Sequence, residues 1–268
     1  MPEVELKKNI DLAFKSFAED YLEAKKTSPK FPELEANLSR FLVESTAAQA
    51  DILKYFLILQ EKNKYLNLTA KASAYDLAVI HLLDSLMLLK AWPGDWPKPG
   101  QSFLDLGTGA GLPGLIYKIL FPELRVVLVD SLQKRLRFIE EVATELNLSN
   151  LELVHGRFED LAHQPEYRGA FSVVTARAVA ALPTLLEYAA GFLEPQAYFL
   201  AMKGKQADAE LKEAARAIKS LNLRYLESLN FKLPIANVER SIILFTPLKK
   251  LSSKYPRKPA EIKQKPLI

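Results

Sequence analysis

The stretch that most restricts what this chain can fold into is Phe103-Leu104-Asp105-Leu106-Gly107-Thr108-Gly109-Ala110-Gly111-Leu112-Pro113-Gly114. An apolar run carrying an aspartate breaks into glycines at every second position, then resumes apolar residues at helical spacing. The pattern predicts strand, tight loop, helix. Glycine lacks a Cβ, so the loop backbone can take positive φ and let a ligand approach, while the helix that follows offers unpaired N–H groups at its start. Such a loop suits a nucleotide-like molecule.

Two cofactor classes use a loop of this kind. Gly109, Gly111 and Gly114 satisfy the G-x-G-x-x-G dinucleotide fingerprint, whereas Gly107, Gly109 and Gly111 satisfy the D/E-x-G-x-G-x-G pattern of S-adenosylmethionine (AdoMet) methyltransferases. Asp105 favours the second, because a carboxylate at a strand end can meet the cationic amino-acid end of AdoMet and would repel a pyrophosphate. The next predicted strand, Arg125 to Val129, ends at Asp130, 19 residues after Gly111. A carboxylate there suits a ribose diol in either class.

Composition removes several chemistries. With no cysteine, disulfides, thiolate zinc sites and a cysteine nucleophile are excluded. His81, His155 and His163 are too widely spaced to suggest a metal site, so no metal is expected. No segment reaches the ~18 apolar residues of a membrane span. The N-terminus, with Glu3, Glu5, Lys7 and Lys8, lacks the apolar centre of a signal peptide, so a cytoplasmic protein is expected. Residues 249–268 hold seven Lys/Arg against Glu261 alone, while the other 248 residues carry 29 Lys/Arg and 31 Asp/Glu. That basic tail, with prolines at 256, 259 and 266, is expected to be extended and mobile. The other reading is a tail folded back over the sheet, anchored by Tyr255 and Leu267.

Residues 1–95 read as a helical segment, with a break at Thr27-Ser28-Pro29 and helices over Phe31–Ser45 and Ala47–Leu66, the latter capped by Ser45 or Thr46. Ser73 can cap a further helix, with Asp76 in its first turn. From Leu77 to Leu89 this helix is apolar except for His81, Asp84 and Ser85, which share one stripe. The stripe is either a self-satisfied network between helices or the border of a cofactor or substrate pocket. The turn-rich stretch Trp92–Gly100 places a boundary at 95/96, leaving a domain at 96–248 and the tail at 249–268.

Within 96–248, strands and helices alternate up to a predicted helix Gln206–Leu221, and two final strands, Leu226–Leu233 and Ser241–Pro247, have no helix between them. The expected fold is α/β: a doubly wound, Rossmann-like, mostly parallel sheet of seven strands with an antiparallel finish, the variation found in AdoMet-dependent methyltransferases. Ligands of such sheets sit beyond the strands' carboxyl ends. The candidates are therefore Gly107 to Leu112, Asp130, Gly156 to Asp160, Thr175-Ala176-Arg177 and Lys203-Gly204. Phe158 could stack on an adenine and Glu159 accept from its amino group, although a solvated loop with one buried Phe reads the same way. Arg177, between an apolar strand and alanines, is poorly placed for a casual surface residue. Lys134, Arg135 and Arg137 form a cationic patch beside Asp130, either an RNA contact or a solvated face.

These residues, with Asn67-Leu68-Thr69, His81-x-x-Asp84-Ser85, Asp130-Ser131-x-x-Lys134-Arg135, Gly156-Arg157-x-Glu159, Arg177-Ala178, Lys203-Gly204 and the Lys254-Tyr255-Pro256-Arg257-Lys258-Pro259 tail, resemble the bacterial small-subunit (16S) ribosomal RNA guanine-N7 methyltransferase family, formerly glucose-inhibited division protein B. The resemblance spans roughly 40 to 268. It implies AdoMet as cofactor, bound by Gly107, Leu112, Phe158, Glu159 and Arg177, to which the strand-end reading adds Asp105, Gly109, Gly111 and Asp130. Guanine N7 carries no proton, so no general base is expected, and substrate positioning falls to His81, Asp84, Ser85, Arg157 and Lys203. RNA contacts are assigned to Lys134, Arg135, Arg137, Lys249, Lys250, Lys254, Arg257 and Lys258, with ribosomal RNA or an assembly particle as partner and a monomer as the working state. A nicotinamide-dependent oxidoreductase and a non-catalytic RNA-binding protein are the alternatives.

Overall fold

A computed structural model describes residues 2–26, 31–94 and 97–268, with the side chains of 31–34 also outside the description. The expected break at Thr27-Ser28-Pro29 and the boundary at 95/96 lie outside the described residues.

The strands are β1 (Ser102–Leu106), β2 (Arg125–Asp130), β3 (Leu151–His155), β4 (Phe171–Arg177), β5 (Leu193–Lys203), β6 (Leu223–Leu233) and β7 (Val238–Pro247). They form one sheet in the order β3-β2-β1-β4-β5-β7-β6, parallel from β3 to β5 and antiparallel at β5–β7 and β6–β7. The expected seven-stranded sheet with its antiparallel hairpin is therefore present. Strand residues alternate between two cores, as a period of two requires. Phe103, Val126, Leu128, Leu200 and Ile242 belong to one, and Leu104, Val127, Val129, Phe199 and Ile243 to the other. Each large side chain so buried contributes about 1.5 to 3 kcal/mol.

The first core is covered by the N-terminal helices together with α4 (Gly114–Leu120) and α5 (Gln133–Glu145). α1 (Pro2–Lys25) presents Leu6, Ile10, Phe14, Phe17 and Tyr21 on one stripe, all buried in the same cluster as Phe103 and Leu128. The N-terminal segment thus shares its core with the sheet. The two helices expected over 31–66 are a single α2 (Phe31–Leu66). Ser45 and Thr46 do not cap it; their hydroxyls donate to the Leu42 and Val43 carbonyls within the helix. Ser73 does cap, accepting from the Asp76 N–H at 3.0 Å. The segment that follows, Asp76–Leu82, is wound as a π-helix before it continues into α3 (Leu83–Met87) and a 3-10 turn over Leu88–Ala91.

The second core is covered by α6 (Phe158–Leu161), α7 (Leu182–Ala190), α8 (Ala207–Glu213) and α9 (Ala215–Ser220). The helix expected over 206–221 is thus two short ones. Residues 249–268 differ most from expectation: they form a strap that ends in α10 (Pro259–Gln264), with Tyr255, Ile262 and Leu267 buried. The Arg257 backbone N–H and Nε donate to Glu187 Oε1 at 2.9 and 2.8 Å, and Nη2 donates to Oε2 at 2.7 Å. Arg168 donates to the Ser252 and Tyr255 carbonyls. The mobile tail is corrected on these contacts: Glu187 is fully buried, and a buried carboxylate requires its cation. Arg257 is likewise withdrawn from the RNA contacts, because its guanidinium is spent on Glu187 and the Lys265 carbonyl.

Candidate active site

The site is built on the carboxyl ends of β1, β2, β4 and β5. The glycine loop is tied to the end of β2, since Gly107 and Thr108 N–H both donate to the Val129 carbonyl. Each glycine has a different reason. At Gly107 an added Cβ would meet Val179 at 2.6 Å, at Gly111 it would meet Leu115 at 2.9 Å, and at Gly114 it would meet Leu128 at 2.1 Å. At Gly109, where φ is +62°, the nearest atom would be 4.0 Å away. Gly109 is the loop residue that faces open space, where a ligand could lie against bare backbone.

Asp105 has a different job from the one expected. Its Oδ2 accepts from Thr108 Oγ1 at 2.8 Å and from the Gly114 N–H at 2.9 Å, so it braces the loop from behind. Burial pushes its carboxyl up to about 6, against the lowering effect of those bonds, and Oδ1 is buried without a partner. From the other side Tyr55 of α2 donates to the Ala110 carbonyl at 2.6 Å, which fixes the N-terminal helices to the loop. Burial holds that phenol protonated.

Two adjoining cavities open on the loop. The smaller, about 300 Å³, is lined by the cofactor candidates Gly107, Asp130, Phe158 and Glu159, by Arg157, assigned above to substrate positioning and absent from the larger cavity, and by Tyr188 of α7. Phe158 and Tyr188 have ring centroids 5.4 Å apart. Burial and the neighbouring Glu159 carboxylate raise the Tyr188 phenol. Asp130 is buried; Oδ1 accepts from Leu132 N–H at 2.9 Å, and Oδ2 accepts from Gly109 N–H at 3.0 Å and Arg135 Nη1 at 3.1 Å. Arg135 therefore turns into the site, away from its expected neighbours Lys134 and Arg137, which are exposed on α5. Ala178, at the turn after β4, takes a φ of +56°, a strained value for a residue with a Cβ, and it lines both cavities.

The larger cavity, about 1070 Å³, is lined by His81, Asp84, Gly109, Leu112, Arg177 and Lys203 among others. The polar stripe of residues 76–87 does border a pocket, and it is also internally satisfied. Arg177 Nη1 donates to Asp84 Oδ2 at 3.3 Å, and Arg240 of β7 donates through Nε to Asp84 Oδ1 at 3.0 Å. His81 Nε2 lies 3.0 Å from the Lys71 carbonyl, which can only accept, so Nε2 carries the proton and Nδ1 accepts from Arg177 Nη2 at 3.4 Å. Burial, then the Arg177 charge, lower its pKa to about 4. Thr69 joins this network through its hydroxyl, 3.2 Å from His81 Nε2, and Asn63 pins its loop by accepting from Leu68 and Thr69 N–H.

Several expected residues stand apart. Ser85 is fully buried and donates to the His81 carbonyl, and Gly111 faces Leu115 of α4 and the Tyr55 hydroxyl of α2. Lys203 lines the cavity, yet its ammonium is held by the Ala180 carbonyl and by Glu210, each at 2.7 Å. Lys249, Lys250, Lys254 and Lys258 are exposed on the strap and line neither cavity. Sequence reasoning missed Arg240 and Tyr188. Arg240 sits two residues after the exposed start of β7, where a polar residue is unremarkable, and Tyr188 lies in an apolar helix, where it reads as core. Among the described residues no cluster could hold a metal and no helix is long and apolar enough to cross a membrane.

Known proteins agree with this architecture. The geranyl diphosphate C-methyltransferase of Streptomyces coelicolor superposes with a TM-score of 0.50 at 17% identity, over 69% of this chain and 88% of that one. A geranyl diphosphate methyltransferase structure gives 0.51 at 14%, over 66% and 80%. Likeness at this level concerns the fold. In sequence the chain is 40% identical over 243 residues to the "Ribosomal RNA small subunit methyltransferase G" of Desulfitobacterium hafniense, covering 90% of this chain and 99% of that protein. The protein of the same name from Geobacillus kaustophilus is 40% identical over 228 residues, 85% and 94% of the two chains. Residues 48–242, from the middle of α2 to β7, match the family described as rRNA small subunit methyltransferase G, and with the loop, the strand-end acids and the terminal hairpin all in place the chain belongs to that family.

Proposed function

We propose that this chain transfers a methyl group from AdoMet to N7 of a guanine in small-subunit (16S) ribosomal RNA, with no protein nucleophile and no general base, acting as a monomer in the cytoplasm. The observation that carries this reading is the state of the one histidine in the reaction cavity: His81 is neutral, with one ring nitrogen donating to a carbonyl and the other accepting from Arg177. A cavity of this kind suits an acceptor atom that has a lone pair and no proton to lose.

The residues present fit the cofactor. Gly109 leaves open space against bare backbone, Asp130 offers a buried carboxylate, and Phe158, Tyr188 and Glu159 bound a cavity with the apolar walls and accepting group that an adenine needs. When bound, AdoMet supplies an electrophilic sulfonium methyl, which the in-plane lone pair of guanine N7 can accept directly. The chain's own contribution is alignment and exclusion of water. Asp84, fixed between Arg177 and Arg240, holds two cations at the cavity wall, where they can meet the phosphate or carbonyl oxygens of an inserted nucleotide. N7 is exposed in duplex RNA only within the deep, narrow major groove, so the target is an unpaired or splayed base.

The test is methylation of small-subunit rRNA with isotopically labelled AdoMet, digestion to nucleosides and mass spectrometry. Label in 7-methylguanosine alone is expected. Label in another nucleoside, or none together with tight NADH binding, overturns the reading.

A further inference from the structure

The β6–β7 hairpin continues beyond the end of β5. Lys203, the last residue of β5, pairs with Ser241, whereas Phe231 with Arg240, Lys232 with Glu239 and Leu233 with Val238 pair further out, beyond β5. The hairpin thus projects past the carboxyl edge of the parallel sheet and stands as a wall beside the reaction cavity. Between this wall and the Gly204–Asp208 turn lies a further cavity of about 440 Å³. Gly204 and Arg240 line both it and the reaction cavity, so the two share a rim.

Apart from Arg240, its charged and amide side chains face solvent without a partner. Lys205, Asp208, Asn230, Lys232 and Glu239 all line it, and none makes a side-chain hydrogen bond or ion pair among the described residues. Ser241, also in its lining, is 3% exposed, and its Oγ is buried without a partner. The contrast with the strap and the reaction cavity is sharp, for there Arg257, Arg177, Arg240 and Lys203 are all paired within the chain.

We propose that this groove is a nucleotide subsite that takes the RNA residue next to the target guanine. The proposal rests on the RNA reading given above. Lys205 and Lys232 supply the cations that a phosphate needs, and the exposed Asn230 offers a neutral donor and acceptor to a base edge. Asp208 and Glu239, when ionised, can only accept, so the preferred base presents two N–H donors side by side, as guanine does through N1–H and its amino group, whereas uracil offers the single N3–H. The volume lies in the range of small-ligand sites, and reading unstacked bases by their edges is the usual means of sequence-specific RNA recognition.

The experiment measures equilibrium binding of a single-stranded RNA holding the target guanine, with uracil placed in turn at each neighbouring position. S-Adenosylhomocysteine affinity and melting temperature are measured alongside. In the wild type, uracil at one of the two positions is expected to weaken binding about tenfold. The Asn230→Ala and Asp208→Asn variants should lose that discrimination. Lys205→Ala with Lys232→Ala should weaken RNA binding 5- to 20-fold and flatten its salt slope by roughly 0.7 to 1.4 units, with S-adenosylhomocysteine binding unaltered. Wild-type indifference to uracil at both positions, or an unchanged salt slope in the double variant, overturns the subsite. Binding is read separately from turnover, so failure of the wild type to form 7-methylguanosine would count against the reaction and not against the groove.

Discussion

Arg177 Nη2 lies 3.4 Å from His81 Nδ1, and the lone pair that a general base would need is turned toward a guanidinium. The pH dependence of turnover should therefore lack a basic limb near 6.5 between pH 5.5 and 8. His81→Ala should lower kcat/KM without changing the profile's shape. Stability should respond instead. The folded pKa, about 4, is below the unfolded value of 6.5, so the unfolded chain binds the proton first, and stability falls as pH drops from 6.5 toward 4. The His81 contribution is on the order of 2 to 3 kcal/mol, opposed in the same range by Asp105, and it is read as the difference between wild type and His81→Ala in denaturant titrations at pH 7 and 4.5.

Asp105 has the opposite sign. Its folded pKa of about 6 exceeds the ordinary 3.8, so the folded state holds the proton better and stability is lost as pH rises from 3.8 through 6. Asparagine at this position keeps an acceptor for Thr108 and Gly114. Asp105→Asn should be more stable than wild type at pH 7.5 by a few degrees of melting temperature, with the gain gone near pH 4. Equal melting curves at pH 7.5 would show that the ionised carboxylate is better solvated than its burial implies.

Gly109 and Gly114 should separate binding from folding. Gly109→Val fills open space at a φ of +62°, and it should abolish S-adenosylhomocysteine binding while leaving a cooperative melt. Gly114→Val drives a side chain into Leu128 and Asp105, and it should cost several kcal/mol of stability. Calorimetric binding and circular dichroism melts on both variants decide the matter.

The strap should behave as structure. Removing Arg257 leaves Glu187 charged, buried and unpaired, which typically costs 3 to 5 kcal/mol. Arg257→Ala should melt well below wild type and leave the salt slope of RNA binding unchanged. A changed slope with an unaltered melting temperature would return Arg257 to the RNA surface.

Much of this architecture was legible in the residues, and the failures have physical causes. The sheet, its hairpin, the glycine loop and the acid ending β2 each carry a local signal: alternation, punctuation or a charge at a strand end. Ser45 and Thr46 misled because a hydroxyl that caps a helix start and one that bonds back inside a helix look alike in sequence. The strap was hidden because its anchor, Glu187, lies 70 residues from Arg257 in an apolar helix, and seven tail cations suggest solvent until one is seen to be paired. Arg240 escaped because its meaning comes from Asp84, 156 residues away. Asp105 was noticed for the right loop and given the wrong partner, since a strand-end carboxylate can face either the ligand or the helix behind the loop.

The π-helical winding of Asp76–Leu82 sets the angular phase of the polar stripe. A π-turn holds roughly one residue more than an α-turn, and each residue of an α-helix advances about 100° around its axis. Had the same residues been wound as a regular α-helix, the extra residue would rotate Asp84 by roughly that angle relative to the Ser73 cap that holds the segment's start. Asp84 would then face away from Arg177 and Arg240, with no residue in the reaction cavity chemically altered. In this protein the aim of a cavity-wall side chain is set by the winding of the helix that carries it as much as by the residues beside it.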